Sequence, residues 1–136
     1  MTDPAVTPAP LRVLVVDPDD CTRESLTGLL EIGDRCLVVG SAGTAEAAIR
    51  LAGDRLPDVI VVDPRLPGSD AGADLIARLR GACLTTRILV LEWSLAGDGG
   101  GDHDDPTSGA DAYTRKTFRS HELIDAVVAA SGRSAT

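Results

Sequence analysis

Residues 57–68 read Pro57-Asp58-Val59-Ile60-Val61-Val62-Asp63-Pro64-Arg65-Leu66-Pro67-Gly68. Val59 to Val62 is an unbroken β-branched run, the pattern of a strand buried on both faces, and it ends on a carboxylate, Asp63. In an open parallel α/β sheet the functional crevice lies outside the carboxyl ends of the strands, which puts Asp63 at its floor. Pro64 and the Leu66-Pro67-Gly68 turn then order the chain ahead of the next helix. An acid in this place reads as a site residue or, equally, as a loop start or helix cap.

Working outward, Leu11–Val16 (LRVLVV) is a second buried strand, and it too ends on a carboxylate, Asp17, followed by Pro18, Asp19 and Asp20. Leu26, Leu29 and Leu30 then fall at helical spacing, with Asp20 as the predicted N-cap and Gly33-Asp34 as the stop. Cys36–Gly40 is the next strand, and Ala45–Ala52 the next helix, capped by Thr44 and ended by Gly53. Beyond the central stretch, Asp74–Arg80 places Leu75, Ile76 and Leu79 on one helical face, and Arg87–Leu91 is a fourth strand. A short fifth strand is expected at Asp111–Thr114. The last helix is expected at His121–Ala130, capped by Ser120, with Leu123, Ile124, Val127 and Val128 inward. Strands alternating with helices at this rhythm predict an α/β fold, a parallel sheet with helices on both faces.

The rhythm breaks once. Residues 96–110 (AGDGGGDHDDPTSGA) hold no large apolar residue, three consecutive glycines and the acids Asp98, Asp102, Asp104 and Asp105, so a solvated loop is expected there. The acids do not match the EF-hand spacing for Ca²⁺. Residues 1–10, with three prolines, read as a disordered leader, 11–130 as one domain, and 131–136 as a tail or the start of a linker.

Bulk properties narrow the function. A chain of 136 residues buries enough surface to fold as a single domain without staples. With one Trp, one Tyr and one Phe its core must be aliphatic. A net charge of −8 argues against direct binding to nucleic acid or to an anionic membrane, both of which need a basic footprint. No apolar run approaches membrane-span length and no signal peptide is apparent, so a cytoplasmic protein is expected. Cys21, Cys36 and Cys83 are odd in number and form no metal-binding pair, and they read as small apolar fillers. No dinucleotide fingerprint, P-loop or nucleophile elbow occurs, which leaves little for an unrelated α/β enzyme or a flavin-binding domain.

Three motifs in order carry a resemblance over Leu11 to Ala130. VLVVD ends at Asp17, PDVIVVDPRLPG surrounds Asp63, and GADAYTRK ends at Lys116. With these the chain resembles a bacterial response-regulator receiver domain of two-component signalling. The resemblance implies a doubly wound, flavodoxin-like sheet of strand order 2-1-3-4-5, and a regulatory module rather than an enzyme. It also implies transfer of a phosphoryl group from a histidine kinase to Asp63. Mg²⁺ would be held by Asp17 and Asp63, with Asp19 a third candidate, because that ion takes carboxylate and water oxygens. Lys116 would balance charge on the transferred oxygens. Tyr113 matches a position where an aromatic ring swings inward on activation. In the family a DNA-binding output domain commonly follows the last helix; this sequence stops at Thr136, so it is expected to be either a stand-alone receiver or a fragment cut at the linker to such a domain. Dimers in the family use the first, fourth and fifth helices.

Five departures from the family pattern converge on the pocket. Asp17 is followed by Pro18, which displaces Asp19 by one residue and weakens the expected metal site. The position of the switch hydroxyl is Glu92, an acid that accepts but does not donate at neutral pH. Facing a phosphoryl charge near 4 Å, it costs about 4 kcal/mol at an effective dielectric of 20. The small residue expected next is Trp93. The helix usually following the fourth strand is absent, replaced by the glycine and aspartate loop. The proline usually following the lysine is Thr117, so a trans peptide is the default there.

Two readings follow from the resemblance. In one, the domain is an atypical, phosphorylation-independent receiver in which Glu92 pairs with Lys116 and the module acts through interaction or dimerisation across its first and last helices. In the other, it is a working Mg²⁺-dependent phosphoacceptor modified on Asp63.

Overall fold

The structure, a computed structural model, describes residues 9–66, 72–83, 85–92 and 109–132. Five strands, β1 (Leu11–Val16), β2 (Cys36–Ala42), β3 (Val59–Val62), β4 (Arg87–Glu92) and β5 (Ala112–Arg115), form one parallel sheet of order β2-β1-β3-β4-β5. Among the described residues four α-helices surround it: α1 (Asp20–Leu30), α2 (Ala45–Arg55), α3 (Gly72–Ala82) and α4 (Ser120–Ser131). This is the doubly wound arrangement expected from the resemblance, with four helices where a full set would be five. Residues 93–108, which include Trp93 and all of the expected 96–110 loop but Gly109 and Ala110, lie outside the described residues.

The two-residue period of the strands explains both layers. Val13, Val15, Val59, Val61, Leu89 and Leu91 point to one face, where Leu26 and Leu30 of α1 and Leu123, Ile124, Val127 and Val128 of α4 pack on them. Leu14, Val16, Ile60, Val62, Ile88 and Val90 point to the other, against Ala45, Ala48 and Ala52 of α2 and Leu75, Ile76 and Leu79 of α3. An all-aliphatic core of this kind is what the near-absence of aromatic residues requires.

Several element ends differ from the sequence expectation, each for a local reason. Asp19, not Asp20, caps α1: its backbone is extended and its carboxylate accepts from the Thr22 N–H. α2 runs past Gly53 to Arg55, and Leu56, in the left-handed region at φ 46°, ends it ahead of Pro57. α4 begins at Ser120 itself, with Arg119 at the N-cap and no side-chain cap bond, so Ser120 is not the cap. β5 starts and ends one residue later than expected, at Ala112 and Arg115. Cys36 and Cys83 are buried as fillers, but Cys21 lies on the outside of α1 and is exposed.

Register positions the carboxyl edge. Val16 is paired with Val62, and Val62 with Val90, so the residues that follow, Asp17 and Asp63, emerge side by side. The Asp63 N–H donates to the Val16 carbonyl at 2.9 Å, locking the two strand ends together. At the neighbouring edge the Lys116 N–H donates to the Glu92 carbonyl at 2.7 Å, which carries Lys116 off the end of β5 and toward the same crevice.

Candidate functional site

Asp17, Asp63 and Lys116 lie 99 and 53 residues from each other along the chain as Lys116–Asp17 and Lys116–Asp63 pairs, yet they meet in one cluster. The Lys116 ammonium donates to Asp17 Oδ2 at 2.5 Å and to Asp63 Oδ2 at 2.8 Å. All three are buried, Asp17 being 1% exposed, Asp63 2% and Lys116 7%. Two carboxylates are tolerated at this depth only with a cation between them, since an uncompensated buried charge is severely unfavourable.

The remaining carboxylate oxygens are also engaged. Asp17 Oδ1 accepts from the Asp19 N–H at 2.9 Å. Asp63 Oδ1 accepts from the Arg65 N–H at 2.9 Å, a turn that follows from Pro64 fixing its own φ between them. The Arg65 guanidinium then folds back on Asp63, its Nε to Oδ1 and its Nη2 to Oδ2, both at 3.3 Å. This is the fork geometry that suits arginine to carboxylates. Burial pushes the Asp63 carboxyl up, but the hydrogen bonds from Lys116 and Arg65 outweigh it and hold the group below its ordinary value. In turn the hydrogen bond and charge of Asp63, with smaller contributions from Asp17 and Glu92, hold Arg65 still more firmly protonated.

Arg65 is the residue that sequence reasoning missed. Its signal was present, an arginine two residues beyond the candidate acceptor within the same motif, but a side-chain direction is not encoded in hydrophobic pattern. Asp19 is brought to the rim of the crevice without joining the cluster. Its carboxylate accepts from Thr22 Nα and Thr22 Oγ1 at 2.7 and 2.9 Å, and these bonds hold it below the ordinary carboxylate range. Glu92, half-buried, closes β4 at the neighbouring edge, while Tyr113 on β5 is 41% exposed. Trp93 lies outside the described residues. The described residues contain no cis peptide, so Lys116 and Thr117 are joined in the trans form expected without proline.

Above the cluster opens a cleft of about 520 Å³ lined by Asp17, Pro18, Asp19, Thr22, Asp63, Arg65 and Lys116. A second groove of about 640 Å³ along α1 is lined by Asp20, Arg23, Glu24, Thr27, Gly28 and Ser41, and includes neither Asp17 nor Asp63. The cleft can present a carboxylate nucleophile beside a lysine. Its fit to Mg²⁺ is poor as arranged. Both oxygens of Asp63 already accept from cationic donors, Asp17 is shared between Lys116 and a backbone N–H, and Asp19 is committed to the helix cap. Among the described residues no three His, Cys, Asp or Glu side chains converge on a common point.

A doubly wound sheet with paired acids and a lysine at the carboxyl ends of β1, β3 and β5 defines a signalling receiver by architecture and site alike. The match to known proteins agrees: residues 13–128 fit the model of the response regulator receiver domain, and the chain belongs to that family. Among curated relatives, the probable transcriptional regulatory protein NarL of Mycobacterium tuberculosis is 33% identical over 93% of this chain and 57% of its own length. The transcriptional regulatory protein LiaR of Bacillus subtilis is 32% identical over 89% of this chain and 56% of its own. The chain thus spans about half the length of these relatives. Among solved structures, the signal receiver domain of Mycobacterium tuberculosis NarL superposes with a TM-score of 0.79 at 30% identity, covering 92% of this chain and 98% of that one. The response regulator domain of Thermotoga maritima CheB gives 0.77 at 25% identity, with 92% and 98% covered. No helix among the described residues is long and apolar enough to cross a membrane.

Proposed function

We propose that this receiver domain works in its phosphorelay system as a phosphorylation-independent interaction or dimerisation module, its acceptor pocket held in one state. The observation that carries this reading is the saturation of Asp63, whose two oxygens accept from Lys116 and Arg65 together. Charge balance that other receivers reach with a metal ion and a phosphoryl group is met here from within the chain. Glu92 supports the same reading, since its fixed negative charge stands where the family carries a hydroxyl donor and opposes an incoming phosphoryl group. The expected partners are a second copy of the domain, meeting through α1 and α4, and a DNA-binding output segment such as transcriptional regulators require.

A second reading is favoured by one observation, the convergence of Asp17, Asp63 and Lys116. In it, an Asp63 oxygen attacks the phosphorus of a phosphohistidine on a kinase, the P–N bond breaks, and an acyl phosphate forms with Lys116 as its counter-ion. Arg65 would first have to leave the carboxylate.

Sedimentation velocity separates the two. The module reading expects the same distribution for the wild type with and without a small acyl phosphate donor and for Asp63→Asn, and an altered one for Glu92→Thr. A donor-dependent shift in association that Asp63→Asn abolishes would replace it with the second reading.

A further inference from the structure

The two buried carboxylates, Asp17 and Asp63, are matched by two positive side chains, Lys116 and Arg65, and are balanced without any bound ion. Lys116 alone does not achieve this, because one ammonium serves two carboxylates. The second positive charge comes from Arg65, held at the start of its side chain by its own N–H on Asp63 Oδ1 and at the end by the fork on both oxygens. A divalent cation entering the cleft, which Arg65 also lines, has to compete with the guanidinium for both Asp63 oxygens. It also finds Asp19, the remaining carboxylate at the rim, bound to Thr22.

We propose that the Arg65 guanidinium is the resident counter-cation of Asp63 and competes with divalent metal ions for this receiver's pocket. Divalent binding then requires Arg65 to swing outward. Its side chain is 64% exposed, so this displacement is a matter of competition rather than of unfolding. A partly exposed ion pair is modest in strength, which sets the scale of the effect at about tenfold in metal affinity. The inference rests on the module reading only in that both place an internally balanced charge at Asp63. A phosphoryl adduct would end that reading while leaving the metal competition to be judged on its own data.

The test uses Mn²⁺ alone as probe, read by paramagnetic broadening of backbone amide resonances in ¹⁵N-labelled protein at fixed ionic strength. Compared are the wild type, Arg65→Ala, Arg65→Gln, Arg65→Ala with Asp63→Asn, and Arg35→Ala as a control for loss of an exposed arginine elsewhere. The expected result is broadening of the amides of residues 17, 19 and 63 that saturates at about tenfold lower Mn²⁺ in both Arg65 variants than in the wild type. Arg35→Ala should follow the wild type, and the added Asp63→Asn should remove the gain. Equal Mn²⁺ dependence of the wild type and the Arg65 variants, or a gain that survives Asp63→Asn, would overturn the proposal. The amide spectrum itself reports whether each variant is folded, and the two Arg65 substitutions give independent readings.

Discussion

The two edges of the sheet use the same residue type in opposite ways. At the amino edge, Asp58 and Asp111 immediately precede β3 and β5 and turn their carboxylates onto backbone. Asp58 Oδ2 accepts from the Arg12 N–H at 2.9 Å, and Asp111 Oδ2 from the Ile88 N–H at 2.8 Å. Each thereby satisfies a donor that the neighbouring strand leaves over at its start. Asp111 also ties Arg80 and Arg87 to this edge. At the carboxyl edge, Asp17 and Asp63 immediately follow β1 and β3, and while each keeps Oδ1 on an N–H of its own loop, both turn Oδ2 onto the Lys116 ammonium between them. Amino-edge acids fasten strands. Carboxyl-edge acids gather charge above a cleft, where it is available for chemistry or for control.

That contrast can be broken experimentally, and the largest effect is expected at Lys116. Lys116→Met leaves Asp17 and Asp63 buried without their shared cation, and should cost about 3 to 5 kcal/mol of unfolding free energy near neutral pH. Adding Asp63→Asn should recover a large part of that loss. Urea denaturation measures both, and a loss under about 1 kcal/mol would mean the pair is not buried in solution. Next comes Asp111→Ala, which removes a charge-assisted cap and two arginine contacts, and should cost about 2 kcal/mol by the same measurement.

The acid limb of the stability curve sharpens the comparison. Asp111 is pushed up by burial, but the Ile88 N–H and Arg80 outweigh this and hold it below the ordinary carboxylate value, as Asp63 is lowered by Lys116 and Arg65. A folded value below the unfolded one means that the unfolded chain binds the proton more readily. The stabilisation is therefore complete above about pH 4 and is lost as pH falls through the lowered values. Asp111→Asn should flatten this limb, and a limb unchanged in that variant would remove Asp111 from the account. The smallest effect is expected for Asp63→Asn alone, within about 1 kcal/mol of the wild type, because relief of carboxylate repulsion offsets weaker bonds to Lys116 and Arg65. A much larger loss would make Asp63 a structural residue like Asp111.

What was legible in the sequence follows from how each feature is encoded. Strand runs such as Val59–Val62 carry their burial in composition, and the spacing of Leu123, Ile124, Val127 and Val128 carries the inner face of α4, so the layers could be read directly. Asp17, Asp63 and Lys116 were legible because each sits next to a strand end, and register does the rest. Caps were less so. Asp19 and Asp20 are chemically identical candidates, and only the extended backbone at Asp19 decides between them. Gly53 looked like a helix stop, but a glycine inside a helix is a modest cost that the packing of Ala48 and Ala52 covers, and the chain turned instead at Leu56. Arg65 was invisible for a different reason. Its role depends on where a long, partly exposed side chain lies, which neither periodicity nor motif spacing specifies.

The most direct measurement of the account is intact mass after incubation with Mg²⁺ and a small acyl phosphate donor, with Asp63→Asn as control and a phosphorylatable receiver in the same tube. The internally paired Asp63 predicts an adduct on the companion and none on this chain. A single phosphoryl adduct on the wild type that disappears in Asp63→Asn would contradict it and restore Asp63 as a working acceptor.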